Sequence, residues 1–161
     1  MLYLIKHSRP DISNAVRDLS KCMDIYTEGH YKSMLRTVQF IIDTKGMGLR
    51  LHPKRQIDLK WSLICYSDSD WGADRDNRKR NSEWTIFINE CLINWGSRAQ
   101  TNVTMSSTEE EYVAVSDICK EIMYVKQVLH FLNIQIQIPI IVYVDNVGAI
   151  FLTKNNGGKR T

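Results

Sequence analysis

Cysteine is sparse in this sequence and badly spaced for chemistry. Cys22, Cys65, Cys91 and Cys119 form no Cys-x-x-Cys pair, and no histidine spacing matches them. That spacing argues against a zinc centre. Each thiol sits in an apolar run, so buried reduced thiols in an intracellular protein are expected. Long hydrophobic runs are missing too. The apolar start Met1-Leu2-Tyr3-Leu4-Ile5 stops at Lys6, too short for a signal peptide or a membrane span. A cytoplasmic or nuclear setting with no membrane partner is the expectation. Neither sign of charge dominates: 21 Lys and Arg against 18 Asp and Glu leave a formal +3. That admits an anionic partner such as nucleic acid without demanding one. His7, His30, His52 and His130 are scattered without partner spacing, so no chemistry is assigned to them.

What is present is ordinary globular material. A hydrophobic share of 43% and a charged share of 24% argue against disorder, collagen or a disulfide scaffold. At 161 residues the chain holds one domain, or one and part of another. Ile12, Val16, Leu19 and Met23 follow helical spacing after the start signal Arg9-Pro10-Asp11. Tyr31, Leu35, Val38 and Ile42 repeat it in a second helix that Gly46 and Gly48 end, and Leu49-Arg50-Leu51 reads as a short strand. A polar stretch with Pro53 then marks a boundary. The division is residues 1–52 as a helical segment, 53–61 as a linker and 62–161 as an α/β domain.

In that domain Leu63 to Ser67 reads as a strand running into Asp68. Trp84 to Ile88 and Leu92 to Trp95 form a hairpin around Asn89-Glu90-Cys91. Ser106 to Leu132 is a long helix. Ile138 to Val144, apolar on both faces, has the pattern of a buried central strand, and a helix begins near Asn146.

Two strands end alike, in Tyr66-Ser67-Asp68 and Tyr143-Val144-Asp145. With side chains alternating at period two, each aspartate shares a face with its tyrosine. Adjacent parallel strands would bring both carboxylates out at the C-terminal edge, where ligands bind in α/β sheets. Helical phase selects a third acid. Glu111 leads to Ala114, Val115, Ile118 and Ile122, the stripe that packs on a sheet, whereas Glu110 leads to Asp117 and Glu121. Glu109 falls in the capping pattern Ser106-Ser107-Thr108-Glu109. Two unit charges about 4 Å apart repel by roughly 4 kcal/mol at an effective dielectric near 20. A divalent cation reverses that sign. Mg2+, or Mn2+ in its place, suits hard oxygen ligands, and two such ions suit phosphodiester cleavage. Taken singly, a strand-end Asp is more often a turn residue and an early-helix Glu a dipole residue; the joint placement lowers those odds.

Arg75, Arg78, Lys79 and Arg80 are candidate phosphate contacts near Asp68, although Asp74 and Asp76 interleave them as in a solvated loop. Trp61, Trp71, Trp84 and Trp95 are core residues in most readings and base-stacking residues in the sharper one.

These motifs together resemble the ribonuclease H domain of copia-type retrotransposon Pol polyproteins, joined to the tail of the reverse transcriptase. Tyr66-Ser67-Asp68-Ser69-Asp70-Trp71 is similar to the family's Tyr-x-Asp-Ala-Asp-Trp, and Ser106-Ser107-Thr108-Glu109-Glu110-Glu111-Tyr112 to Ser-Ser-Thr-Glu-Ala-Glu-Tyr. Tyr143-Val144-Asp145-Asn146 matches Tyr-x-Asp-Asn, and Ser8-Arg9-Pro10-Asp11-Ile12 looks like the end of the polymerase. The resemblance implies a ribonuclease-H-like mixed sheet with packing helices, incomplete here and preceded by a small helical segment. It implies catalytic, metal-binding roles for Asp68, Glu111 and Asp145, a secondary role for Asp70, and nucleic-acid contact by Asn146. The implied partners are an RNA–DNA hybrid, recognised through backbone shape and 2′-hydroxyls, and the polymerase part of the same polyprotein.

The departures are specific. Arg80-Asn81-Ser82-Glu83-Trp84 replaces the family's Ser-Thr-Ser-Gly-Tyr, with a glutamate where a turn glycine is usual. The family's fourth aspartate belongs to an Ala-Asp segment beyond the last helix here. A further packing helix with about four buried apolar side chains would be worth roughly 6–12 kcal/mol, against a net stability of about 5–15 kcal/mol. The expectation is a truncated domain with weak or absent nuclease activity. A non-catalytic nucleic-acid-binding or structural remnant is the alternative. A transposase or integrase nuclease is the third reading, and the polymerase-tail motif disfavours it.

Overall fold

The computed structural model describes residues 1–52, 60–70, 81–100 and 106–155. Between Arg50 and Leu51 the chain divides into two compact units.

The first unit is helical: α1 (Leu2–His7), a 3-10 turn at Pro10–Ile12, α2 (Ser13–Lys21) and α3 (Glu28–Asp43). Pro10 opens the turn, where its missing N–H costs nothing. Arg9 is buried, and its guanidinium donates to both carboxylate oxygens of Asp11 at 2.7–2.9 Å. It also donates to the Thr44 hydroxyl at 2.8 Å. The Arg9-Pro10-Asp11 segment therefore pins the end of α3 to the start of α2. His30 has a structural role: its Nδ1 accepts from the Thr27 N–H, and the Thr27 hydroxyl accepts from the His30 N–H, closing a capping box at α3.

Three sequence expectations change in this unit. Met23 lies past the end of α2 and is exposed. In α3 the stripe Tyr31, Leu35, Val38 and Ile42 is exposed, and Thr37 is the buried position, with Met34 and Ile41 half-buried beside it. Both stripes have helical spacing, and Thr37 tolerates burial because its hydroxyl donates to the Ser33 carbonyl at 2.9 Å. Leu49–Leu51 forms no strand.

The second unit contains β1 (Leu63–Asp70), β2 (Asn81–Ile88), β3 (Cys91–Ala99), α4 (Ser107–Phe131), β4 (Ile141–Val144) and α5 (Val147–Asn155). The sheet order is β3-β2-β1-β4, with β1 antiparallel to β2 and parallel to β4. The hairpin turn is two residues, since Cys91 already pairs with Ile88. Asn89 and Glu90 both take positive φ (45° and 68°), the signature of a primed turn matched to strand twist. The Asn89 Oδ1 locks it by accepting from the Ser62 N–H at 2.9 Å.

α4 lays Ile118, Ile122, Val125 and Leu129 on Leu63, Cys65, Trp84, Ile86, Ile88 and Cys91 of the sheet. Gly96 makes room for this core. It faces Trp84 across the β2–β3 ladder, and a Cβ there would stand 2.2 Å from the indole. At its far end α4 stops in a left-handed Asn133 (φ 57°). The Ile134 N–H reaches the Leu129 carbonyl and the Asn133 N–H the His130 carbonyl. That is the Schellman arrangement.

Two further expectations are corrected. β4 is shorter than its apolar run and, among the described residues, lies at an edge of the four-stranded sheet, with Ile141 and Tyr143 about half exposed. Of the thiols, Cys65 and Cys91 are buried, Cys22 is half-buried and Cys119 is exposed. Burial pushes the Cys65 thiol up to about 11, so it is inert at neutral pH.

Candidate metal centre

The register of β1 against β4 assembles two of the acids. Tyr66 pairs with Tyr143 and Ser67 with Val144, which brings Asp68 and Asp145 out side by side at the sheet's C-terminal edge. Behind them the two tyrosine rings stack at 5.1 Å and 20°. The third acid comes from α4, whose first turn packs against α5. Gly148 permits that approach, since a Cβ on it would meet the Thr108 hydroxyl at 2.9 Å. Asn146 caps α5, its Oδ1 accepting from the Ala149 N–H at 3.1 Å. Ser106 caps α4 by accepting from the Glu109 N–H.

Asp68, Glu111 and Asp145 each present a carboxylate oxygen within 4.8 Å of the others. The two aspartates are exposed and Glu111 is buried, at 6%. The two Glu111 oxygens differ. Oε1 accepts from the Ser69 hydroxyl at 2.5 Å and the Ser69 N–H at 3.2 Å. Oε2 is buried with no hydrogen-bond partner among the described residues. Burial raises the Glu111 pKa above the usual carboxylate range. The charges of Asp145 and Asp68 add to that, and the Ser69 bonds pull it partly back. A groove of about 320 Å3, lined by Tyr66, Ser67, Asp68, Tyr143, Val144 and Asp145, opens onto the cluster.

This donor set fits a hard divalent cation. It offers only oxygen, and a buried acceptor lone pair lacks a donor among the described residues. Its two outer carboxylates remain open to solvent.

The remaining candidates fall elsewhere. Asp70 pairs in register with Asn81 at the end of β1, and its side chain lies outside those described. Arg75, Arg78, Lys79 and Arg80, with Trp71, lie outside the described residues. Asn146 is half-buried and acts as a helix cap. Trp84 is buried, while Trp61 packs against the core. Glu83, at the position where the resemblance has a turn glycine, lies inside β2 directly opposite Asp68, and the Ser97 hydroxyl donates to it at 3.2 Å. Glu110, placed by helical phase on the polar face, is buried at 2%. The first turn of α4 is flanked as well as faced: the Gln100 amide donates to both the Glu110 carbonyl and the Ser82 hydroxyl.

Ser69 bears no carboxylate and so stands outside the acidic pattern of the sequence. Strand parity carries the signal for it, because Ser69 falls on the same side as the buried Leu63, Cys65 and Ser67.

A mixed sheet of this order, with a long helix packed on it and acids at its C-terminal edge, defines the α/β class of ribonuclease-H-like proteins. No family model matches the chain, and no solved structure matches it. Its sequence relatives are specific. It is 34% identical to the retrovirus-related Pol polyprotein from transposon RE1, and 33% to that from transposon RE2, both of Arabidopsis thaliana. Each match runs over 154 residues and takes in 96% of this chain. A Plasmopara viticola protein named secreted RxLR effector protein 161 is 32% identical over 124 residues, covering 77% of this chain and 84% of that one. Homologues at this level over 96% of the chain are retrovirus-related Pol polyproteins of copia-type transposons, and the chain spans about a tenth (10%) of the length of the Arabidopsis polyproteins it matches.

Proposed function

We propose that this Pol segment holds magnesium on Asp68, Glu111 and Asp145 and acts on the RNA strand of an RNA–DNA hybrid. One observation carries the reading: three separate elements deliver carboxylates to within 4.8 Å of one another. Clustered anions without a cation would repel, and the fold holds one of them buried. Mg2+ bound there would neutralise charge on a phosphodiester and lower the pKa of an attacking water. The chain's own residues do the rest. Asp68 and Asp145, which line the groove, would hold the ion together with the buried Glu111. The stacked Tyr66 and Tyr143 form the wall beside them.

Titration of the purified chain with Mn2+ and Mg2+, followed by calorimetry and Mn2+ spin resonance, tests this. Saturable binding is expected in the parent and its loss in Asp68→Asn and Asp145→Asn. In the same preparations, Mg2+-dependent cleavage of RNA in a hybrid, at any measurable rate, is expected to disappear in Asp68→Asn. Binding of metal and hybrid without cleavage would favour the non-catalytic nucleic-acid-binding reading, and absence of metal binding would sink both the ion and the reaction.

A further inference from the structure

We propose that Ser69 is a positioning residue for the metal centre, one this chain carries where the motif it resembles has alanine. The assignment rests on the metal-site reading above and adds a specific mechanical part to it.

Both donors of Ser69, its hydroxyl and its backbone N–H, converge on a single atom, Glu111 Oε1. A carboxylate rotates about its last bond, and that torsion is broad and about two-fold. Two donors on one oxygen remove that freedom. With Oε1 held, Oε2 is left as the sole oxygen able to serve a cation, and it is the buried one without a hydrogen-bond partner among the described residues. Ser69 thus fixes the orientation in which Glu111 presents its carboxylate to a cation.

The placement follows from strand parity. Asp68 shares the parity of the exposed Tyr66, so Ser69, one residue on, shares that of the buried Leu63, Cys65 and Ser67, on the face covered by α4, where Glu111 sits. One strand thereby supplies a ligand and the orienting partner of a second ligand at consecutive positions. An alanine at 69 keeps the backbone donor and loses the shorter of the two bonds. Partners that orient metal ligands typically change affinity by about 10–100-fold when removed. Because the N–H remains, the lower end of that range applies.

The experiment compares Mn2+ affinity in the full chain as parent, Ser69→Ala, Ser69→Thr and Asp68→Asn, with thermal melts of each without metal. Ser69→Ala is expected to weaken Mn2+ about tenfold and to broaden the spin-resonance signal of the bound ion, as Glu111 samples more than one orientation. Ser69→Thr, which keeps a hydroxyl on the same Cβ, is expected to restore both. Equal affinity and an equal signal in parent and Ser69→Ala would overturn the proposal, whether or not the metal-free melting point moved. A lowered melting point with unchanged affinity would make Ser69 a purely structural residue. If the parent takes up no Mn2+ at all, it is the metal-site reading that fails, and the role of Ser69 falls with it.

Discussion

Glu111 is the residue at which folding and the proposed function pull in opposite directions. Three carboxylates within 4.8 Å repel by about 3.5 kcal/mol or more per ionised pair at an effective dielectric near 20, and by about 1 kcal/mol in bulk water. Glu111, buried, feels this most, and its pKa is raised. An acid with a raised folded pKa binds its proton more readily in the native state. Its burden on stability is therefore present at neutral pH, and is relieved as pH falls through the folded pKa toward the ordinary 4.5. Glu111→Gln keeps an oxygen for the Ser69 donors and removes the charge. The metal-free variant is expected to melt a few degrees above the parent at pH 7, with the gap closing by about pH 4.5, and Mg2+ should no longer raise its melting point. Parallel melts across pH check this; a variant less stable than its parent at pH 7 would refute it. Phase along α4 reveals Glu111 in the sequence because Ala114, Ile118 and Ile122 extend its stripe. The same logic misplaces Glu110, because a helical wheel describes what lies beneath a helix and not what flanks its first turn.

At the scale of the elements, close approaches and turn geometry hold the frame on which the acids stand. Gly96 is the tightest contact: Cβ at 2.2 Å from a buried indole forces Trp84 to move, and that ring is core. Overpacking of this kind costs about 1–3 kcal/mol. Gly96→Ala is expected to lower stability by about 2–3 kcal/mol in denaturant titrations while leaving the secondary structure in place, and a neutral effect would show that the sheet yields there. Asn133 offers the opposite sign. An L residue in the left-handed region is strained by roughly 1 kcal/mol relative to glycine, so Asn133→Gly should raise stability by about that amount. The hairpin, the long helix and the parallel pair ending in acids are legible from periodicity and turn chemistry. The edge position of β4 is not, because an apolar run such as Ile140-Ile141-Val142 reports hydrophobicity and not the number of neighbouring strands. The inward face of α3 is lost for a similar reason: two interleaved stripes share the helical period, and a hydrogen-bonded threonine occupies the buried one.

The whole molecule consists of two units with unequal cores, and that inequality predicts how it melts. In residues 1–50 the buried apolar side chains are Ile12 and Val16, with Arg9 and Thr37 buried as polar members. The second unit buries a ten-residue cluster shared by the sheet and α4. A unit of about 50 residues with so small a core is marginal on surface-to-volume grounds. Calorimetry of the full chain is expected to show a weak lower transition from the first unit and a stronger upper one from the second. Strong acid should destabilise the lower transition. The Arg9 guanidinium holds the Asp11 pKa below its ordinary 3.8, so that pair's contribution is complete above that value and is lost as pH falls through the lowered one. Mg2+ should act on the upper transition alone, because all three acids lie in that unit. At tenfold excess over the dissociation constant the linkage is worth about 1.4 kcal/mol, roughly 5 °C for a domain of this size. Asp68→Asn should abolish the shift without touching the lower transition. A single transition, or a Mg2+ shift that survives Asp68→Asn, would contradict this picture, the first by denying the unequal cores and the second by placing the ion elsewhere.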